Sequence, residues 1–353
     1  MVRKHKWLVS VGLFLLCLSL FGQPLRVAFV FVNPVTDMGW SFLQDQGRRF
    51  LETTFGPAVQ TAFMQNVPEN SDSALVFQGF AQNGFDLIFG TSFGYMESMA
   101  KVAQAYPQTI FMHCSGYKTA PNMGTYFGRM YQPRYLSGIL AGKMTTSNII
   151  GYVAAFPLPE VVRGINAFAL GVLSVNEHAE IHVVWSGTWF DPGQEREAAL
   201  ALLDRGADVI TQHQNSPACQ QAAQDRGAFS IGYNSDMRTF APDAFLGAPV
   251  WNWGPYFVRV VQSVLDGTWT SEAYWGGMKD GIVDLLLSDR VPSQVSAFVL
   301  DAREKILQGT LEPFEGPVWD QQGNLRIPAG EIPSDEELLR MDWLVRNVVG
   351  TPH

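Results

Sequence analysis

The groups best equipped for chemistry in this chain are carboxylates, amides and aromatic rings set in predicted loops. Asp37, Asp191 and Asp236 are the acidic candidates. Two such carboxyl groups facing each other suit glycosidic cleavage, in which one protonates the leaving oxygen while the other attacks or activates water. No Gly-x-Ser-x-Gly elbow, no Gly-x-Gly-x-x-Gly after the first strand, no phosphate loop and no His-Glu-x-x-His accompanies them. Asn33, Asp37 and Trp40 crowd one loop, and Phe93 follows another strand, either as a wall of the same site or as packing under a hinge. Gln212, His213, Gln214 and Asn215 offer donors and acceptors, either to the edge of a ligand or to the cap of a helix starting at Ser216. Lys279, in Gly276-Gly277-Met278-Lys279-Asp280-Gly281, is a lone cation near an expected crossover between domains, or a solvated lysine.

The elements that must position these groups follow from hydrophobic periodicity. Leu25 to Val32 is a near-continuous apolar and β-branched run, as in a strand buried on both faces of a parallel sheet. Asn33 to Asp37 breaks it, and from Met38 apolar residues recur at helical spacing, so the stretch reads strand, loop, helix. Apolar runs at Phe85 to Phe89 and Thr109 to Met112 end in Gly90-Thr91-Ser92-Phe93-Gly94 and His113-Cys114-Ser115-Gly116, with a helical pattern from Tyr95 to Tyr106 between them. The alternation then restarts. Helices are predicted at Tyr135 to Met144, Val161 to Val175, Gly193 to Arg205 and Ala218 to Arg226, and strands at Ile149 to Val153, Ile181 to Trp185, Ala207 to Thr211 and Phe229 to Tyr233. An apolar stretch from Ala244 to Trp251, a helix at Gly254 to Leu265, a turn-rich tail at Glu312 to Asn324 and a last helix from Asp335 to Val349 complete the outline. This is the pattern of two α/β domains, and a cleft between their strand ends is the expected ligand site.

At 353 residues the chain is long enough for two cores, and its net charge of −9, spread without long runs, argues against nucleic acid as a partner. Met1 to Gln23 has a basic start, an apolar core and a small or polar end, the layout of a secretory signal with cleavage near Gly22. Cys17 lies where a lipoprotein signal places its lipidated cysteine, although Leu15-Leu16 before it lacks small residues. Cleavage near Gly22 leaves Cys114 and Cys219, either paired or as buried free thiols, and neither has a metal-ligand spacing. No metal and no cofactor is expected.

Taken together, several stretches resemble the basic membrane protein family, the PnrA-like substrate-binding components of ABC transporters for purine nucleosides and related compounds. They are Asp37-Met38-Gly39-Trp40-Ser41-Phe42, Ser137-Gly138-Ile139-Leu140-Ala141-Gly142-Lys143-Met144, Gly151-Tyr152-Val153-Ala154, Phe168 to Gly171, Gln212 to Ser216, Gly232-Tyr233-Asn234-Ser235-Asp236-Met237, Trp251-Asn252-Trp253-Gly254-Pro255-Tyr256 and Phe314-Glu315-Gly316-Pro317.

The resemblance implies a periplasmic-binding-protein type I fold, two doubly wound parallel-sheet lobes joined by a hinge. Lobe 1 would span 23–130, with 252–285 returning to it, and lobe 2 would span 131–251, with 286–353 largely returning. It implies an exported, monomeric binding protein rather than an enzyme, delivering a purine base or nucleoside to a membrane permease. Trp40 matches the aromatic position that stacks on the purine, and Asp236 the aspartate that reaches the ligand. The nucleoside-binding branch carries Ser-Phe where this chain has Gly39-Trp40, and an acidic or amide residue where it has Val35-Thr36. With Trp189 and Trp253 added to Trp40, the cleft is expected to suit a flat heterocycle. A nucleoside hydrolase using the Asp37, Asp191 and Asp236 carboxylates, and a sensor subunit presenting its closed form to a receptor, are the alternatives.

Overall fold

The first strand, β1 (Leu25–Val30), is apolar on both faces because it lies inside a sheet, and Val27 to Val30 are wholly buried. The computed structural model describes residues 23–36 and 38–351; the expected signal segment at 1–22, with Cys17, and Asp37 in the first loop lie outside the described residues. From β1 the chain enters helix α1 (Trp40–Phe55), which buries Ser41, Gln44, Asp45, Gly47, Arg48 and Leu51. It continues through β2 (Val59–Met64), α2 (Ser73–Gln82), β3 (Leu87–Gly90), α3 (Met96–Ala105), β4 (Ile110–Cys114) and β5 (Met123–Gly128).

The second half runs α4 (Tyr131–Met144), β6 (Ile149–Ala154), α5 (Pro159–Leu173), β7 (Glu180–Trp185), α6 (Pro192–Asp204), β8 (Val209–His213), α7 (Ala218–Asp225), β9 (Phe229–Ile231) and β10 (Phe245–Trp251). Then come α8 (Gly254–Leu265), β11 (Ala273–Gly276), β12 (Val283–Leu287), α9 (Ser293–Gln308), β13 (Val318–Trp319), β14 (Leu325–Ile327), α10 (Asp335–Leu339) and β15 (Val348–Val349).

The strands form two large sheets. In lobe 1 the order is β2-β1-β3-β4-β5-β11, all parallel. In lobe 2 it is β15-β7-β6-β8-β9-β10-β12, parallel except for β12 against β10. Both sheets reverse their strand order beside their first strand, and such switch points are where α/β sheets take ligands. The chain passes between the lobes three times: from β5 into α4, from β10 into α8, and from β11 to β12. These crossings make the hinge.

Two expectations are corrected. The helix expected from Asp335 to Val349 stops at Leu339, capped at its start by Ser334 and Glu337, and the chain then runs extended into β15. The physical cause is Asn166 on α5, whose amide donates to the Trp343 carbonyl at 2.6 Å while its oxygen accepts from the Val345 N–H at 2.9 Å. Tertiary hydrogen bonds override the local helical pattern. The tail expected to be all turns contains β13, which pairs with β14. Cys114 and Cys219 are buried free thiols, one in each lobe.

Candidate functional site

The strands of both lobes end at a common cavity, the place where two-lobed α/β proteins take small molecules. Lobe 1 lines it with Val32, Trp40, Ser92, Phe93, Ser115 and Phe127; lobe 2 lines it with Glu160, Trp189, His213, Asn215 and Tyr233. Nearly all follow the carboxyl end of a strand. The lobes also touch at its rim, where the Ser235 hydroxyl donates to the Met38 carbonyl.

Trp40 opens α1 and is held from several directions. Its Nε1–H donates to the Thr91 carbonyl at 2.6 Å, and its ring meets Trp251 and Trp253 edge-on, at centroid distances of 5.3 and 5.8 Å. Trp253 is 1% exposed and stacks on Trp251 at 4.8 Å, so it backs Trp40 rather than lining the cavity. Across the cavity Trp189 packs against Phe156 at 5.2 Å, and its carbonyl accepts from the Asn215 N–H at 3.1 Å. The Asn215 side-chain oxygen is engaged by the Asn234 amide at 2.9 Å, which fixes the side chain's orientation.

Of the other expected site residues, those that the structure describes do not line the cavity. Gln214 turns from the cavity and donates to the Ser186 hydroxyl at 2.7 Å. Asp236 is exposed, paired with Arg238 at 2.9 Å and outside the cavity lining. Lys279 is exposed on the β11–β12 crossing. Asn33 is half-buried beside the cavity, its N–H donating to the Ser41 hydroxyl at 3.1 Å and its side-chain amide nitrogen without a partner among the described residues. Asp37 lies outside the described residues. Asp191 caps α6, accepting from the Gly193 and Gln194 N–H groups at 3.0 Å each. A facing carboxylate pair is therefore not formed by Asp191 and Asp236, and among the described acidic residues Glu160 alone lines the cavity.

Glu160, Ser115 and Phe127 carry no motif that marks them as site residues, and Tyr233 is marked only as part of the Gly232 to Met237 stretch; their signal is position, each in or beyond a strand that points at the cleft. Burial pushes the Glu160 carboxyl up to about 7, with Arg163 and Ser115 pulling it back and Glu69 raising it further. His213 is held well below its ordinary value, first by burial and then by Arg134 and Arg163, so its ring is neutral. The cavity thus combines flat aromatic walls with a neutral imidazole, an amide, hydroxyls and one carboxyl group. That set recognises a polar planar molecule through stacking and edge hydrogen bonds. Among the described residues no cluster of His, Cys, Asp and Glu could hold a metal ion, and no helix is long and apolar enough to cross a membrane.

Comparison with known proteins agrees with this architecture. The family model of the PnrA-like ABC transporter substrate-binding proteins matches residues 25–313. A purine-binding protein of Brucella abortus (strain 2308) is 44% identical over 326 residues, 92% of this chain and 93% of its own. TsgA13 of Haloferax volcanii, named for glucose binding in an ABC transporter, is 42% identical over 308 residues, covering 86% and 77% of the two chains. Among solved structures, an ABC transporter solute-binding protein from Aeropyrum pernix K1 superposes with a TM-score of 0.72 at 19% identity, covering 82% of this chain and 93% of the other. The fold is the periplasmic-binding-protein type I fold. The chain belongs to the PnrA-like family of ABC transporter substrate-binding proteins.

Proposed function

We propose that this protein captures a purine, as free base or nucleoside, in the cavity between its lobes and delivers it to the permease of an ABC importer on the outer side of the membrane. The observation that carries this reading is the clamped indole of Trp40, facing a second lobe whose contribution includes His213, Asn215 and Glu160. A rigid indole gives any flat ring a stacking surface, and the polar edge groups of lobe 2 select among rings. Closure follows because only the closed form satisfies both sets at once. The 44% identical relative named for purine binding supports the same cargo. Binding without turnover is favoured over nucleoside hydrolysis because Asp191 and Asp236 are engaged elsewhere.

Calorimetric titration of the protein lacking residues 1–22 with adenine, guanine, hypoxanthine, their nucleosides and glucose tests the reading. Heat of binding from purines, with each recovered unchanged, supports it, and the preference between base and nucleoside defines the cargo. Binding of glucose with no response to any purine overturns it, and release of free base from a nucleoside replaces it with the hydrolase.

A further inference from the structure

Among the described residues neither ring nitrogen of His213 has a hydrogen-bond partner, yet the two nitrogens have different surroundings. Nδ1 is fully enclosed. It borders Gly164 on α5 together with Nε of Arg134: a Cβ on that glycine would stand 3.6 Å from the first and 3.8 Å from the second. The Arg134 guanidinium is itself fully buried and lies 3.9 Å over the Tyr233 ring. One of its nitrogens donates to the Gln212 carbonyl at 2.8 Å, while Nε and Nη2 have no partner among the described residues. Nε2 of His213 is the ring nitrogen left unenclosed on a residue that lines the cavity.

This arrangement selects a tautomer. A proton on Nδ1 would turn the positive end of the N–H dipole towards the charge of Arg134, whereas a bare lone pair there is favoured by the same charge. Burial and the two neighbouring arginines also oppose a second proton, so the ring stays neutral. The single proton then resides on Nε2.

We infer that His213 is a specificity-determining residue whose Nε2–H donates to an acceptor nitrogen in the ring of the bound heterocycle, and that Arg134 is the positioning residue that fixes this tautomer. The inference rests on the purine reading above for the ligand, but its tautomer is a property of the protein alone. A buried donor that finds no acceptor stays unpaired, so a ring with C–H at that position is rejected more strongly than stacking differences would allow.

Two measurements test it. In ligand-free protein labelled with ¹⁵N-histidine, the His213 signals are assigned by their loss in His213→Gln. The expected spectrum has a protonated Nε2 and an unprotonated Nδ1, unchanged from about pH 5.5 to about pH 8. Arg134→Met shifts the ring towards a mixture of tautomers; should that variant not fold, Arg134→Lys, with its charge withdrawn from the ring, serves the same comparison. Affinities are then measured for a purine and its 1-deaza, 3-deaza and 7-deaza analogues. One analogue is expected to bind about tenfold more weakly or worse. That gap closes in His213→Phe and persists in His213→Gln, which keeps an N–H donor. A proton on Nδ1, an imidazolium, or an equal gap in His213→Phe overturns the inference. Failure of every purine to bind the unmodified protein overturns the proposed function and with it the contact to a purine ring, while the tautomer fixed by Arg134 stands or falls on the spectrum alone.

Discussion

Gly39 of lobe 1 stands against the backbone of Asn215 in lobe 2, so closely that a Cβ on Gly39 would lie 2.4 Å from the Asn215 carbonyl oxygen and 2.7 Å from its Cα. Neither backbone atom can move aside as a flexible side chain would. Closure of the cleft therefore depends on a missing side chain in the first loop. Gly39→Ala is expected to leave the separated lobes folded, with an unchanged melting temperature without ligand. It should weaken ligand binding by a factor of about ten or more, because the competent closed state becomes rare. Small-angle scattering should show the unmodified protein compacting with ligand and the variant remaining extended. Equal affinity in the two proteins would mean that binding does not need this contact.

Stacking on Trp40 makes a different prediction, because it concerns every ligand alike. The indole is fixed by its bond to Thr91 and by Trp251 and Trp253, so little ordering remains to be done when a ring arrives. Trp40→Ala should cost about 1–3 kcal/mol for each purine compound, by analogy with base stacking in nucleic-acid-binding proteins. Trp40→Phe should lose less, since it keeps a flat face and gives up the Thr91 bond. Calorimetry on the two variants distinguishes a stacking surface from a packing residue: a packing role predicts a lower melting temperature with affinity intact.

The legible parts of this molecule are those whose burial is uniform. β1 and β3 are largely apolar because both faces of a parallel sheet are covered, and the residues after them carry Trp40 and Phe93 into the cavity. β8 is equally buried but ends in Thr211, Gln212 and His213, and Asn215 follows it into the cavity. The edge strand β2 is harder to read, since Val59 is buried while Gln60 and Met64 face solvent, and β11 and β12 take their places only through pairing with strands distant in sequence. In the site, Glu160 is masked by its position beside Pro159 in the first turn of α5, where an acidic residue is ordinary. Asp236 is the converse case: its motif suggests a ligand contact, while in this structure its carboxylate pairs with Arg238 and does not line the cavity.

Motif glycines in lobe 2 have a packing reason that sequence resemblance leaves unstated. A Cβ on Gly138 of α4 would stand 2.0 Å from the Phe168 carbonyl oxygen, and one on Gly171 of α5 would stand 2.0 Å from the Tyr135 carbonyl oxygen. The two helices approach backbone to backbone through reciprocal glycines. Gly138→Ala is expected to destabilise the protein by about 3 kcal/mol through overpacking, read as a lower urea midpoint at constant slope. Gly171→Ala should do the same, and the two effects should fall short of additive, because separating the helices once relieves both clashes. Full additivity would mean that each clash is relieved locally, without helix separation.

Glu160 couples the cavity wall to pH. Its carboxyl group sits near 7 in the folded protein against an ordinary 4.5, with burial as the main cause, Arg163 and Ser115 opposing and Glu69 adding to it. The folded state therefore holds this proton more tightly than the unfolded chain. The resulting stabilisation is fully present below about 4.5 and is lost as pH rises through about 7. His113, lowered to about 4 by burial, and His213 act in the opposite sense, losing stability as pH falls below the ordinary histidine range, so the whole protein's profile is a composite. Glu160→Gln removes one contribution and leaves the histidines in place. The stability difference between the unmodified protein and this variant, from urea unfolding at several pH values, is expected to shift in favour of the variant between about pH 4.5 and about pH 7 and to stay level above that. A difference that does not change with pH would show that the Glu160 carboxyl is ionised at no cost in the folded state, and that its place in the cavity is wetter than its burial implies.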